Sequence, residues 1–99
     1  MKWLTLEMIK KQCRIEKDFH EEDGLLEFYG DCAEETILSL CERTYEDLIE
    51  TYGQVPARIV KASLLLSAQS YEEREPSSSQ KLSVVPYSFD IMVKPFVKL

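Results

Sequence analysis

The stretch Ile59-Val60-Lys61-Ala62-Ser63-Leu64-Leu65-Leu66-Ser67-Ala68 decides the fold. Its apolar residues leave little polar surface in the middle, and a helix that is apolar nearly all round belongs at the centre of a domain. Pro56 fits the first position of this helix, because the N–H that proline lacks is not needed there. The stretch therefore predicts a central helix over about 56–73.

A longer amphipathic helix is predicted upstream, over Glu21–Arg43, with Asp18 or His20 as its N-terminal cap. Its apolar residues step by three and four, as on one helix face. They are Leu26, Tyr29, Ala33, Ile37 and Leu40, widened by Leu25, Cys32 and Thr36. The opposite face is acidic and carries Glu27, Asp31, Glu34, Glu35 and Glu42. Gly30 inside this helix costs about 1 kcal/mol relative to Ala, which indicates close backbone approach at that point.

Three shorter helices complete the prediction. Thr5 is suited to cap a helix over Leu6–Cys13, and Thr44 to cap a helix that Gly53 ends. The Ser-rich segment before the C-terminus, with about 76–85 as its mobile part, predicts a flexible loop. A last helix is expected over Phe89–Lys94, with Pro95 stopping it. We therefore expect an all-α fold, a single domain over 1–99 with about five helices around the central one.

The charge of the chain is unevenly distributed. The 99 residues carry a net charge of −6. Between Glu16 and Glu50 there are 13 acidic residues against two basic ones, whereas the remainder holds five acidic and ten basic residues. Such an acidic balance argues against non-specific DNA binding, and against a helix-turn-helix DNA-binding protein, because both depend on cations that neutralise phosphates. Two poles of opposite sign favour a partner bound head to tail.

No catalytic, cofactor or metal site is predicted. His20 is the only histidine, no glycine-rich elbow surrounds a serine, and the three cysteines lack the paired spacing of a zinc site. Cys13, Cys32 and Cys41 are expected to be small buried hydrophobes. No apolar run resembles a signal peptide or a membrane span, so the expected location is a reducing cell interior, away from membranes.

The acidic face of the long helix is a candidate surface. Glu27, Asp31 and Glu35 form like-charge pairs four residues apart, each costing a few tenths of a kcal/mol in an isolated helix. Three explanations stay open: simple solvation, a cationic partner, or a surface that avoids adhering to DNA.

In the order and spacing of its segments, the chain resembles the head–tail connector proteins of long-tailed bacteriophages and prophages, also called DNA-packaging adaptors or head-completion proteins. The resemblance covers nearly the whole chain. The segments that carry it are Leu4-Thr5-Leu6-Glu7, Cys13-Arg14-Ile15-Glu16, Glu21-Glu22-Asp23, Pro56, the apolar stretch from Ile59, Tyr71-Glu72-Glu73-Arg74-Glu75, the Ser-rich loop, Pro86-Tyr87-Ser88-Phe89 and Lys94-Pro95-Phe96.

This resemblance implies a non-enzymatic structural protein of the virion, located at the head–tail interface and made in the cytoplasm of the bacterial host. Such proteins form a ring beneath the portal after the head has filled with DNA, and they extend the DNA channel. The implied partners are the portal protein, a tail-side completion protein and further copies of the chain in a homo-oligomeric ring. Cofactors, membranes and sequence-specific nucleic acid binding are not implied.

Six residues are the candidates for the subunit interface or the channel surface. Glu27, Asp31 and Glu35 are expected to form a charged contact or the channel wall. Arg58, Lys61 and Arg74 are expected on the complementary side. The alternative hypothesis is a small acidic regulatory module that binds one protein partner and has no role in a virion.

Overall fold

The computed structural model describes residues 1–73 and 92–97, and the regular elements among these residues are all helical, with no β-strand. Their elements are α1 (Leu6–Cys13), α2 (Asp23–Cys41), α3 (Tyr45–Tyr52), α4 (Ala57–Glu72) and a 3₁₀ turn (Lys94–Phe96). The all-α prediction is confirmed, and the predicted bounds of the first four helices hold within two residues. The predicted loop over 76–85 lies outside the described residues.

Two of the predicted caps form as expected. The Thr5 hydroxyl accepts a hydrogen bond from the Met8 N–H at 3.2 Å, and the Thr44 hydroxyl accepts one from the Asp47 N–H at 3.1 Å. Each satisfies one N–H at a helix start that has no partner within the helix. Gly53 ends α3 with φ of 81°, a backbone conformation that glycine adopts without a steric penalty.

The predicted starts of α2 and α4 are wrong in detail. Glu22, not Asp18 or His20, is the residue that caps α2, and its side chain donates or accepts no capping bond. The helix begins only at Asp23, and the His20 ring contacts the Asp23 side chain instead. Pro56 lies one residue before α4, as its cap, because its extended ψ of 146° places it outside the helix.

The core lies where α4 packs against both α1 and α2. One cluster of buried side chains joins α2, α3, α4 and the C-terminal turn, and a second joins α1 to α2 and the segment before α1. The first consists of Ile37, Cys41, Leu48, Ile59, Ala62 and Val93, and the second of Leu4, Ile9 and Leu26. The predicted central position of α4 agrees with its packing against both neighbours.

The buried positions of α4 are occupied by small residues more than by its leucines. Ala62, Ser63 and Ser67 are buried, whereas Leu64, Leu65 and Leu66 are each only half-buried. Small side chains at a contact let two helix axes approach closely. The small residues of the apolar stretch therefore allow the close packing that makes α4 central, while part of its leucine surface stays uncovered.

Glu34 overturns the prediction that it belongs to the exposed acidic face. It is only 4% exposed, and its carboxylate accepts hydrogen bonds from the backbone N–H groups of Lys2, Trp3 and Leu4 at 2.7–2.9 Å. Those N–H groups precede α1 and have no helical partner, so they need another acceptor when buried. Glu34 thereby fixes the segment before α1 onto α2.

Gly30 lies directly beneath that segment, as the sequence predicted from its place inside the helix. A Cβ at Gly30 would meet the Met1 sulfur and lie 2.9 Å from Cδ1 of Ile9. The close approach explains why α2 retains a residue that weakens a helix.

The C-terminal turn corrects the expectation that Pro95 stops the last helix. Met92 and Val93 are helical, and the 3₁₀ turn then runs through Pro95 to Phe96. Proline is tolerated there because the first turn of a helix does not use its N–H. The start of the predicted helix, residues 89–91, lies outside the described residues.

Candidate functional site

The acidic face of α2 is present as predicted, except for Glu34. Glu27, Asp31 and Glu35 are all exposed, and their spacing of four residues places them on one side of the helix. Asp31 is 56% exposed, and its Oδ1 lies 3.0 Å from the Met1 amine. The structure thus brings the three carboxylates together on one surface.

An exposed apolar surface lies beside the acidic one. Some of its residues were expected in the core, and one had no predicted role. Leu25, Cys32 and Thr36 were expected to widen the buried stripe, yet all three are exposed. Phe28 is 60% exposed, and no prediction had singled it out. The reason is geometric: the buried stripe of α2 is narrow, since it follows Leu26, Gly30, Ala33, Ile37 and Cys41. The signal in the sequence was the aromatic residue between Glu27 and Asp31.

The predicted cations lie apart from this acidic surface. Arg58 and Lys61 are exposed on α4, one turn from each other. No ion pair within residues 1–73 and 92–97 joins them to the carboxylates of α2. Arg74 lies outside the described residues, so its expected role stays a prediction.

The sequence did not predict a buried charged cluster at the start of α2. The Lys10 side chain is 6% exposed, and its Nζ lies 2.9 Å from Oδ1 of Asp23. The same ammonium donates hydrogen bonds to the carbonyl oxygens of Phe19 at 2.6 Å and Lys17 at 3.3 Å. Nδ1 of His20 lies 2.9 Å from Oδ2 of Asp23. Lys10 thus holds the loop between α1 and α2 in place.

The pKa of Asp23 lies below its usual range, first because of the hydrogen bond from Lys10 and second because of that from His20. The carboxylate is therefore ionised well into mildly acidic conditions and keeps the buried ammonium paired. Lys10 lies in the last turn of α1, where a cation was expected only to complement the helix dipole. A lysine on the apolar side of a short helix was the signal that pointed to burial.

An open pocket of about 460 Å³ lies next to this cluster. The apolar side chains of Leu6 and Ile15 contribute to its lining, together with five polar or charged residues. These are Glu7, Lys10, Lys11, Lys17 and His20. The pocket combines apolar surface with an excess of cations, which are features of a binding surface.

The cysteines and the histidine do not form a nucleophilic pair. Burial raises the pKa of the Cys13 and Cys41 thiols, which keeps both thiols protonated at neutral pH. Cys32 is exposed, contrary to the expectation that all three cysteines are buried. His20 contacts Lys10 and Asp23. The described part of the chain holds no group of three or more residues suited to a metal ion.

None of the helices described here has the length and apolar character required to cross a membrane. The surfaces that the described residues offer are charged and apolar faces on helices, which suit contacts with other macromolecules.

No curated protein and no solved structure matches the chain significantly. A family model does match, over residues 4–96, and its description is "Phage gp6-like head-tail connector protein". The match spans all four helices and the C-terminal turn. The chain therefore belongs to the family of phage gp6-like head-tail connector proteins.

Proposed function

We propose that this chain is a ring-forming adaptor that binds beneath the portal, completes the DNA-filled head and presents a docking surface to a tail-side protein. Membership of the connector family gives it a structural role at the head–tail junction and contacts with other head or tail proteins. The ring, the portal as a partner and the completion of the head are the parts that we add.

The observation that carries the proposal is the acidic surface on α2. Glu27, Asp31 and Glu35 lie exposed along one side of a helix of 19 residues, which is about 28 Å long. Like charges at this spacing cost stability in an isolated helix, so a contact or a channel function accounts for them better than folding does.

Two roles in a ring use this surface. As one flank of the subunit, it attracts a cationic flank of the next copy, for which Arg58 and Lys61 on α4 are the cations predicted from the sequence. As a channel wall, it repels the DNA backbone, so that DNA slides without the fixed phosphate contacts that strengthen binding. Unlike flanks that meet head to tail close into a ring when the rotation between copies allows it.

The test is the mass of the complex that the chain forms with its own purified portal, measured by light scattering and sedimentation. The proposal predicts that each portal ring takes up a full circle of subunits. A chain that leaves the mass of the portal unchanged, while it binds a single cellular protein as a monomer or dimer, would overturn the proposal in favour of a regulatory module.

A further inference from the structure

Phe28 is exposed in a way that folding does not explain. Its side chain is 60% exposed on the middle of a helix, and Leu25 and Cys32, one turn to either side, are exposed as well. A single exposed apolar residue is common on protein surfaces. Here the apolar residues lie together and are bordered by the carboxylates of Glu27 and Asp31. A buried aromatic anchor with a charged rim is the usual composition of a protein–protein contact.

The pocket formed by α1 and the loop that follows it offers the complementary chemistry. Leu6 and Ile15 give it apolar lining, and its volume of about 460 Å³ is in the range of sites that enclose a small group. Within the described part of the chain, the ammonium groups of Lys11 and Lys17 make no ion pair, whereas that of Lys10 is paired with Asp23. Besides Lys10, the pocket lining thus holds two cationic residues, Lys11 and Lys17, and one acidic residue, Glu7.

The two surfaces lie on different sides of the subunit. α1 packs on α2 near Gly30, since a Cβ there would lie 2.9 Å from Cδ1 of Ile9. Successive residues of a helix are about 100° apart, so Phe28 lies about 160° around α2 from Gly30. The side of α2 that carries Phe28 therefore faces away from α1. One copy consequently cannot fill its own pocket with Phe28, whereas a second copy can.

We propose that Phe28 of one copy inserts into the pocket between Leu6 and Ile15 of the next copy. Glu27 and Asp31 then lie against the ammonium groups of Lys11 and Lys17. This inference rests on the proposed ring and names the contact between its subunits. The two surfaces differ and face away from each other, so the contact is heterologous and repeats from copy to copy, as a closed ring requires.

Charge and shape together favour this pairing over one with Arg58 and Lys61. Those residues supply cations on a helix surface, whereas the pocket supplies cations around an apolar site that an aromatic side chain can fill. Desolvation of an aromatic anchor contributes most of the affinity in such contacts, while rim charges mainly set orientation and rate of association.

Disulfide trapping tests the contact directly. Cys32 is exposed one turn from Phe28, so it serves as the native probe on α2. A Lys17→Cys substitution places the second thiol at the pocket. The same chain also carries Cys13→Ala, which removes a competing thiol. Oxidation of the concentrated protein with diamide is expected to give a ladder of covalent dimers and larger species on a non-reducing gel. A Cys32→Ser substitution should abolish the ladder, and Arg58→Cys in place of Lys17→Cys should give none.

A second measurement uses Phe28→Ala, which changes an exposed side chain and should leave the helical circular dichroism unaltered. We expect it to weaken self-association about tenfold or more. Two results together would overturn this contact and leave the proposed ring standing. Rings would form on the portal as readily with Phe28→Ala, and trapping would occur through Arg58→Cys but not through Lys17→Cys. If the Lys17→Cys chain gives the disulfide ladder but never binds the portal, the contact is upheld and the proposed function is wrong.

Discussion

The indole of Trp3 and the hydroxyl of Ser63 are joined by a hydrogen bond of 2.8 Å, although 60 residues separate them in the chain. Ser63 is fully buried in α4, and its hydroxyl also donates a bond to the Ile59 carbonyl at 2.6 Å. The Trp3 ring stacks on Tyr45 with centroids 6.3 Å apart. Trp3 thus connects the segment before α1 to both α4 and α3.

Removal of this hydroxyl should destabilise the fold. Ser63→Ala leaves the indole N–H of Trp3 without its acceptor in a partly buried position, and we expect the free energy of unfolding to fall by about 1–2 kcal/mol. Chemical denaturation followed by circular dichroism measures the change.

Ser67→Ala is the matched control for that substitution. Ser67 is equally buried in the same helix, but among the residues that the structure describes its hydroxyl donates only to the Ser63 carbonyl one turn earlier. Such a bond within one helix adds little stability, so the change should stay within about 0.5 kcal/mol. Equal losses for the two variants would contradict the importance of the Trp3 contact.

Glu34 should contribute more to stability than its exposed neighbour. Glu34→Gln keeps one acceptor oxygen but loses the negative charge that strengthens three backbone hydrogen bonds, and we expect a loss of about 1–3 kcal/mol. Glu35→Gln on the exposed face should change stability by less than about 0.5 kcal/mol. Hydrogen exchange adds a local measurement: the amides of Trp3 and Leu4 should exchange faster in Glu34→Gln and not in Glu35→Gln.

The cluster of Lys10, Asp23 and His20 predicts a dependence of stability on pH. The pKa of Asp23 is lowered in the fold, first by Lys10 and then by His20, so its contribution is present above the ordinary aspartate pKa and is lost as pH falls through the lowered value. Asp23→Asn should therefore lower the melting temperature at neutral pH, and the difference from the wild type should shrink well below about pH 4.

Asp18→Asn is the control for that experiment, because Asp18 is exposed and lies in the same loop. Its melting temperature should follow that of the wild type across the whole pH range. A difference between Asp23→Asn and the wild type that stays constant into strong acid would contradict the ionised pair with Lys10.

Charge reversal on the acidic face should impair assembly without unfolding the subunit. Glu27→Lys combined with Glu35→Lys replaces two exposed carboxylates, so the helical circular dichroism should be retained while the amount of chain bound to the portal falls several-fold. The control reverses two exposed carboxylates elsewhere, through Glu50→Lys and Glu72→Lys. Equal assembly by both double variants, measured by light scattering, would show that the position of the acidic charge is unimportant.

Most of the fold followed from local patterns in the sequence. Thr5, Thr44 and Gly53 act through groups within a few residues of each other, so their roles are visible in a short stretch of sequence. The period of the apolar residues predicted α1 and α2 for the same reason. Pro95 was misjudged because the rule against proline in helices does not apply to a first turn.

The contacts over long sequence distances could not be predicted in this way. Glu34 looks like any solvated carboxylate of an acidic helix until the segment before α1 is placed against it. For Lys10, the apolar side of α1 indicates burial, but its partners could not be predicted because they come from the following loop and from the start of α2. For the candidate site, periodicity placed Glu27, Asp31 and Glu35 together on one exposed face. It also assigned Leu25 and Cys32 to the core, because the spacing of apolar residues does not show how wide the buried stripe is.

Electron microscopy of the purified portal, imaged with and without this chain, is the decisive experiment for the proposed ring. We expect an additional closed ring of density on the tail-facing end of the portal, coaxial with its channel, whenever the chain is present. Portals that look the same in both samples, with the chain remaining free in solution, would contradict it.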